Sequence, residues 1–179
     1  MPRLFTGLEV PRDVAFALSL KRGGLMGARW IDAENYHITL RFIGDIDHTM
    51  ADDVADTLDH LSRSEPFTVR LDHLDSFGGD RPRALFAAVE PNPALVRLQA
   101  AQERLLQRVG LAPEGRKFTP HVTLARLKGS TSIDVARYLA EAGHFTPLTF
   151  TVGRFVLFSS RESLGGGPYV VESAYPLAA

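Results

Sequence analysis

Two short stretches of the chain repeat one chemistry-bearing tetrad, His37-Ile38-Thr39-Leu40 and His121-Val122-Thr123-Leu124, 84 positions apart. With six histidines and eleven threonines in 179 residues, composition alone predicts roughly 0.4 His-x-Thr triplets. The chain has three. The third, at His144, lacks the following leucine and runs into Pro147, and it reads as coincidence. In a strand, residues i and i+2 point to one face, so each tetrad buries its aliphatic pair and presents an imidazole beside a hydroxyl. Unperturbed imidazole titrates near pH ~6.5, so two rings facing one ligand can serve as general base and general acid. Threonine hydroxyls donate hydrogen bonds without adding charge, which suits the oxygens of a phosphodiester. The chemistry that fits is attack on phosphorus by a base-activated water while the opposite ring protonates a departing sugar oxygen. It requires no metal and no cofactor.

The elements that must position these groups follow from periodicity. "RLFTGLEV" reads as a strand, and "PRDVAFALSLKRGG" as a helix with Pro11 in its first turn and a stop at Gly23-Gly24. The first tetrad opens the strand "NYHITLRFIG". Asp47 is placed to cap the helix that follows, whose Met50, Val54, Leu58 and Leu61 share one face. "PFTVRLDHL" and "RALFAAVE" read as two strands. The second half repeats the grammar: a helix ending at Gly110, the strand "HVTLARL", a helix near "SIDVARYLAEAG", then strands "LTFTVGRFVLFSS" and "PYVVESAYPL". Two similar α+β halves, packed as lobes of one domain over 1–179, are expected. Pseudo-twofold packing would bring both tetrads to one cleft.

Composition narrows the alternatives. The absence of cysteine excludes disulfides, thiolate metal sites and cysteine nucleophiles. A net charge of −1 argues against a nonspecific coat on duplex nucleic acid, while 17 arginines against 3 lysines leave a small phosphate site open. There is no apolar run long enough to cross a bilayer and no signal-peptide layout, so a cytoplasmic protein is expected, a monomer being the simplest case. Asp72, His73 and Asp75 lie close in sequence, but only His73 and Asp75 share a strand face. They read as solvated polarity rather than a metal site. "SLGGGPY" lacks the lysine and hydroxyl of a phosphate-binding P-loop and reads as a surface loop or hairpin.

The paired tetrads, with "RLFTGLEVP", "RWIDAENYHITLRFIGDI", "FTPHVTLAR" and "FVLFSSRES…GGPYVVESAYPL" around them, make the chain resemble the 2H phosphoesterases. Within them it is similar to the RNA 2′,3′-cyclic phosphodiesterase branch, also called the 2′-5′ RNA ligase-like family. That resemblance implies a bilobal α+β fold: a pseudo-twofold pair of antiparallel sheets, flanked by helices, around a V-shaped central cleft. It also implies action on RNA ends or nucleotides carrying a 2′,3′-cyclic phosphate, hydrolysed to a 2′-phosphomonoester. Carried over by motif position, His37 is the proton donor to the departing 3′ oxygen, His121 the proton acceptor from water, and Thr39 and Thr123 hold the phosphate. Arg126 falls at the family's basic position, although strand parity turns it away from His121 unless a bulge or a rim position intervenes. Arg41 has the parity of His37 and is an alternative phosphate ligand. Tyr36, Phe42 and Phe118 stand near the tetrads, where each either stacks a base or packs in the core. Two other functions fit the same residues: reversible 2′-5′ RNA ligation, with a 5′-hydroxyl replacing water, and a non-catalytic RNA- or nucleotide-binding module.

Overall fold

Aliphatic and aromatic residues run through the nine strands of the described residues, and helices return between them. A computed structural model describes residues 3–61, 64–142, 144–160 and 167–178; most of the glycine-rich stretch after Ser163 lies outside the described residues. The chain order is β1 (Arg3–Glu9), α1 (Arg12–Ser19), β2 (Ala28–Trp30), β3 (His37–Asp45), α2 (His48–Leu58), β4 (Phe67–Phe77) and β5 (Ala84–Val89). It continues with α3 (Pro93–Arg108), β6 (His121–Leu127), α4 (Ser132–Glu141), β7 (Leu148–Val152), β8 (Arg154–Ser160) and β9 (Tyr169–Pro176).

Each of the last three helices starts on a side-chain cap that satisfies a free backbone N–H. Asp47 accepts from Met50 N at 2.8 Å, Asn92 from Leu95 N at 3.1 Å, and Thr131 with Asp134 forms a reciprocal capping box. The first helix is shorter than its sequence pattern, ending at Ser19, and Leu20–Gly24 turns back toward β2.

The strands pair antiparallel in the order β7-β4-β5-β6-β3-β1-β8-β9, with β2 following β3 along the edge of β6 that faces away from β5. This order is symmetric about the β6–β3 seam. On one side β3, β1, β8 and β9 form a first lobe; on the other β6, β5, β4 and β7 form a second. The two central strands meet at a single paired position, Ile38 opposite Val122. Both side chains are fully buried, worth roughly 2 kcal/mol each for the apolar surface withdrawn from water.

The lobes are not the consecutive halves of the sequence. β4 and β5, which close the first half, both lie in the second lobe beside β6, and β8 returns to pair with β1 in the first. The stretch expected as one strand, "LTFTVGRFVLFSS", breaks at Gly153; β7 goes to β4 and β8 to β1. Alternation cannot reveal this exchange, because partner choice is set by tertiary packing rather than by a strand's own residues.

Candidate active site

Both tetrads begin their strands at the seam, His37 at the first residue of β3 and His121 at the first of β6. Ile38, Leu40, Val122 and Leu124 are buried behind them, as the two-residue period requires. His37, Thr39, His121, Thr123 and Arg126 line one cavity of about 90 Å³, together with Tyr169 from β9. It opens onto a groove of about 480 Å³ that shares Thr39, His121, Thr123 and Arg126 with it.

Backbone carbonyls fix the ring orientations. His37 Nδ1 lies 2.9 Å from the Asn35 carbonyl oxygen, and His121 Nδ1 lies 2.6 Å from that of Thr119. A carbonyl only accepts, so both Nδ1 atoms carry the proton and each Nε2 is the reactive nitrogen. The partners of the two Nε2 atoms differ. His37 Nε2 is 2.9 Å from Thr39 Oγ1, a hydroxyl that receives its proton when the ring is charged and donates to it when neutral. His121 Nε2 has no protein partner among the described residues. In each case the carbonyl stands two residues before the histidine, and since any residue type supplies a carbonyl, the sequence carried no sign of it.

Aromatic walls dry both rings. Phe5, Phe158 and Tyr169 surround His37 with centroids at 5.0, 5.6 and 4.9 Å, Tyr169 edge-on. His121 meets Phe77 at 4.8 Å and Phe86 at 5.1 Å. Burial pushes the His37 pKa down to about 4; the bond to Asn35 opposes this, and the charges of His121 and Arg126 add to it. His121 is lowered as well, first by burial and then by Arg126, against its bond to Thr119.

A bulge resolves the parity of Arg126. Thr123 pairs with Phe86 and Ala125 with Leu85, so Leu124 is an extra residue in β6. The alternation resets there, and Arg126 emerges on the face of His121 and Thr123. The same irregularity lies at the same place in β3, where Thr39 pairs with Gly7 and Arg41 with Thr6, leaving Leu40 extra.

That first-lobe bulge takes Arg41 off the face on which parity placed it. Its side chain turns inward, 7% exposed, and lines neither cavity. Nε donates to Glu103 Oε2 of α3 at 2.6 Å, Nη1 to the Phe42 carbonyl at 2.6 Å, and Nη2 to the Ala112 carbonyl. Glu103 also accepts from Gln107 Nε2 at 2.8 Å and from the backbone N–H of Glu114 at 3.0 Å. Burial raises the Glu103 pKa, but these donors outweigh it and hold the carboxyl below its ordinary range. The pair thereby fixes the segment that leads to Thr119 and His121. Phe42 takes the cleft position instead and lines the groove, as does the partly buried Phe118. Tyr36 lies in the core, 4% exposed, and is not a stacking surface. Sequence reasoning missed Tyr169, which reaches the cavity from a distant strand, and the groove cations Arg83, Arg116 and Lys117, which carry no motif of their own. His73, exposed on β4, pairs with Asp72 at 2.6 Å, and neither residue lines either cavity.

A family model described as "2′-5′ RNA ligase superfamily" matches residues 27–163, a span that contains both tetrads. The chain belongs to the 2′-5′ RNA ligase superfamily. Relatives include a Thermotoga maritima protein, 31% identical over 94% of this chain and 92% of its own length. A Bacillus subtilis protein is 28% identical over 91% of this chain and 86% of its own length. A third, from Aeropyrum pernix, is 38% identical over 63% of this chain and 65% of its own length. All three bear the name RNA 2′,3′-cyclic phosphodiesterase. Among solved structures, a Thermus thermophilus protein superposes with TM-score 0.81 at 25% identity over 98% of this chain and 97% of that one. E. coli LigT complexed with 3′-AMP superposes with TM-score 0.77 at 21% identity over the full length of both. The superfamily fold therefore extends over the whole chain, as the α+β bilobal expectation required. No helix among the described residues is long and apolar enough to cross a membrane.

Proposed function

We propose that the protein hydrolyses RNA ends carrying a 2′,3′-cyclic phosphate, leaving a 2′-phosphomonoester. The observation that carries this is the single cavity lined by both histidines, both threonines and Arg126. The names of the relatives support the substrate. His121, whose Nε2 has no protein partner among the described residues, takes a proton from water as the water oxygen attacks phosphorus. The P–O3′ bond breaks, and His37 Nε2–H delivers its proton to the departing 3′ oxygen. Thr39 supports that donor role, because its hydroxyl lies where it accepts from a protonated His37. Thr39, Thr123 and Arg126 hold the phosphate oxygens through hydrogen bonds and charge. The cycle closes when His121 returns its proton to solvent and His37 regains one.

Both rings favour the neutral state in the empty cleft, so His37 must take up its proton as the phosphodiester anion enters. The anion supplies the charge that burial alone disfavours. This reading places all the chemistry on side chains, in a monomeric cytoplasmic protein that needs no metal.

Turnover of an oligonucleotide ending in a 2′,3′-cyclic phosphate, measured with excess chelator, tests it. A 2′-phosphate product supports the reading. A 3′-phosphate product reverses the cleaved bond, loss of rate on chelation points to a metal, and binding without turnover leaves a recognition module. Ligated product in the presence of a 5′-hydroxyl RNA would show the reverse reaction on the same two rings.

A further inference from the structure

The cavity between the histidines has room for a phosphate group, so the nucleotide attached to that phosphate must extend beyond it. The groove provides the space, since it shares four side chains with the cavity. Its charge differs from that of the whole molecule. The chain carries a net charge of −1, whereas the groove wall holds Arg83, Arg116, Lys117 and Arg126 against one carboxylate, Glu114. That carboxylate is already engaged, accepting from the Arg116 backbone N–H at 3.1 Å and from Arg116 Nε at 3.3 Å. The Arg116 side chain is nonetheless 80% exposed. Phe42 adds a large ring, 41% exposed, on the facing lobe. Cations with an aromatic face between lobes are the means by which proteins hold single-stranded nucleic acid, the cations on phosphates and the ring beneath a base.

We infer that this groove is a second subsite, in which Phe42 carries a base and Arg116 with Lys117 binds the phosphodiester that precedes the terminal nucleotide. The inference rests on the cyclic phosphodiesterase reading and narrows its substrate to the end of an oligonucleotide, rather than a free nucleoside 2′,3′-cyclic phosphate. The subsite is pre-formed. Glu103 holds the Glu114 backbone at 3.0 Å and Arg41 holds the Ala112 carbonyl, so the segment bearing both cations is ordered before substrate arrives.

The test compares kcat/KM for a nucleoside 2′,3′-cyclic phosphate with that for a dinucleotide ending in the same group. At low salt the wild type is expected to favour the dinucleotide by about tenfold or more, the scale of one charge-assisted phosphate contact. Added salt should erode the preference. In the double variant Arg116→Ala/Lys117→Ala the ratio should fall toward one. A wild type that treats both substrates alike overturns the inference, as does a double variant that loses rate on both in parallel. If neither substrate turns over, the catalytic reading fails, and the subsite is then judged by titration with a dinucleotide ending in a 2′-phosphate. That ligand should bind the wild type about tenfold more tightly than the double variant, with no such difference for a 2′-mononucleotide. Equal affinities would remove the subsite.

Discussion

Phe42 and Arg126 stand at corresponding places on opposite walls of the cleft, each five residues beyond its histidine and each turned inward by a one-residue bulge. A scaffold with twofold symmetry thus presents an aromatic ring on one side and a guanidinium on the other. The ligand read into this site has the same asymmetry, with a base at one end and a phosphate at the other.

Arg126→Ala should lower kcat/KM by about 10–100-fold, the worth of a charge-assisted hydrogen bond to phosphate. Arg126→Lys should recover part of it, because a point charge replaces the fork. Arg126 also lowers both histidines, so its removal should move their ring-proton titrations upward in NMR spectra. Unmoved titrations together with full activity would place Arg126 outside the site.

The pH profile follows from the lowered histidines. The productive free enzyme holds one proton on the pair, and its fraction peaks between the two apparent pKa values. Both histidines lie below 6.5, so kcat/KM should peak on the acid side of that value. It falls above the peak as the acid loses its proton and below it as the base gains one. A bound phosphodiester raises both, so the kcat profile should sit at higher pH. Coincident profiles would contradict substrate-linked protonation.

His37→Asn and His121→Asn should each lower kcat on the order of 10²–10⁴-fold, as removal of a general acid or base does. Circular dichroism and affinity for a 2′-nucleotide should stay close to those of the wild type. Full turnover in either variant would remove that ring from the mechanism.

The Arg41–Glu103 pair should behave as a structural node. Arg41→Met strands a carboxylate that is largely buried, and urea denaturation should show a loss of about 3 kcal/mol. Adding Glu103→Met should restore part of it, because the uncompensated charge is gone. The double variant should still show a raised KM if Arg41 and Glu103 also order the wall bearing Arg116. A KM equal to that of the wild type would confine the pair to stability.

Ile38→Ala should cost about 2–4 kcal/mol through the cavity left at the seam. Because Ile38 is the paired contact between β3 and β6, kcat should fall as well. Stability lost without any change in kcat would mean that the seam does not set the spacing of the rings.

Much of this site was legible from residue types alone. His37, Thr39, His121 and Thr123 share a face because a strand's period is two, and that period is written in the sequence. What the period could not supply was its own interruption at Leu40 and Leu124, where ladder pairing rather than side-chain pattern inserts a residue. Hence Arg41, which the parity placed in the cleft, is buried against Glu103, while Arg126, which the parity turned away, reaches the cavity between the histidines. Asp47 was visible as a cap because its side chain makes the bond; Asn35 and Thr119 were not, because only their carbonyls do. Tyr169 is brought in because β8, which carries β9 along its outer edge, pairs with β1 from the far end of the chain, a contact that no local window contains.

Since β4 crosses to the far sheet and β8 crosses back, each half of the polypeptide is locked into the other like clasped hands. A backbone nick in the exposed turn between β4 and β5 would leave fragments that each lack a strand the other owns. Neither could hold half of a cleft alone, yet mixed together they would have reason to recombine, and hydrolysis would return only with the reunited pair.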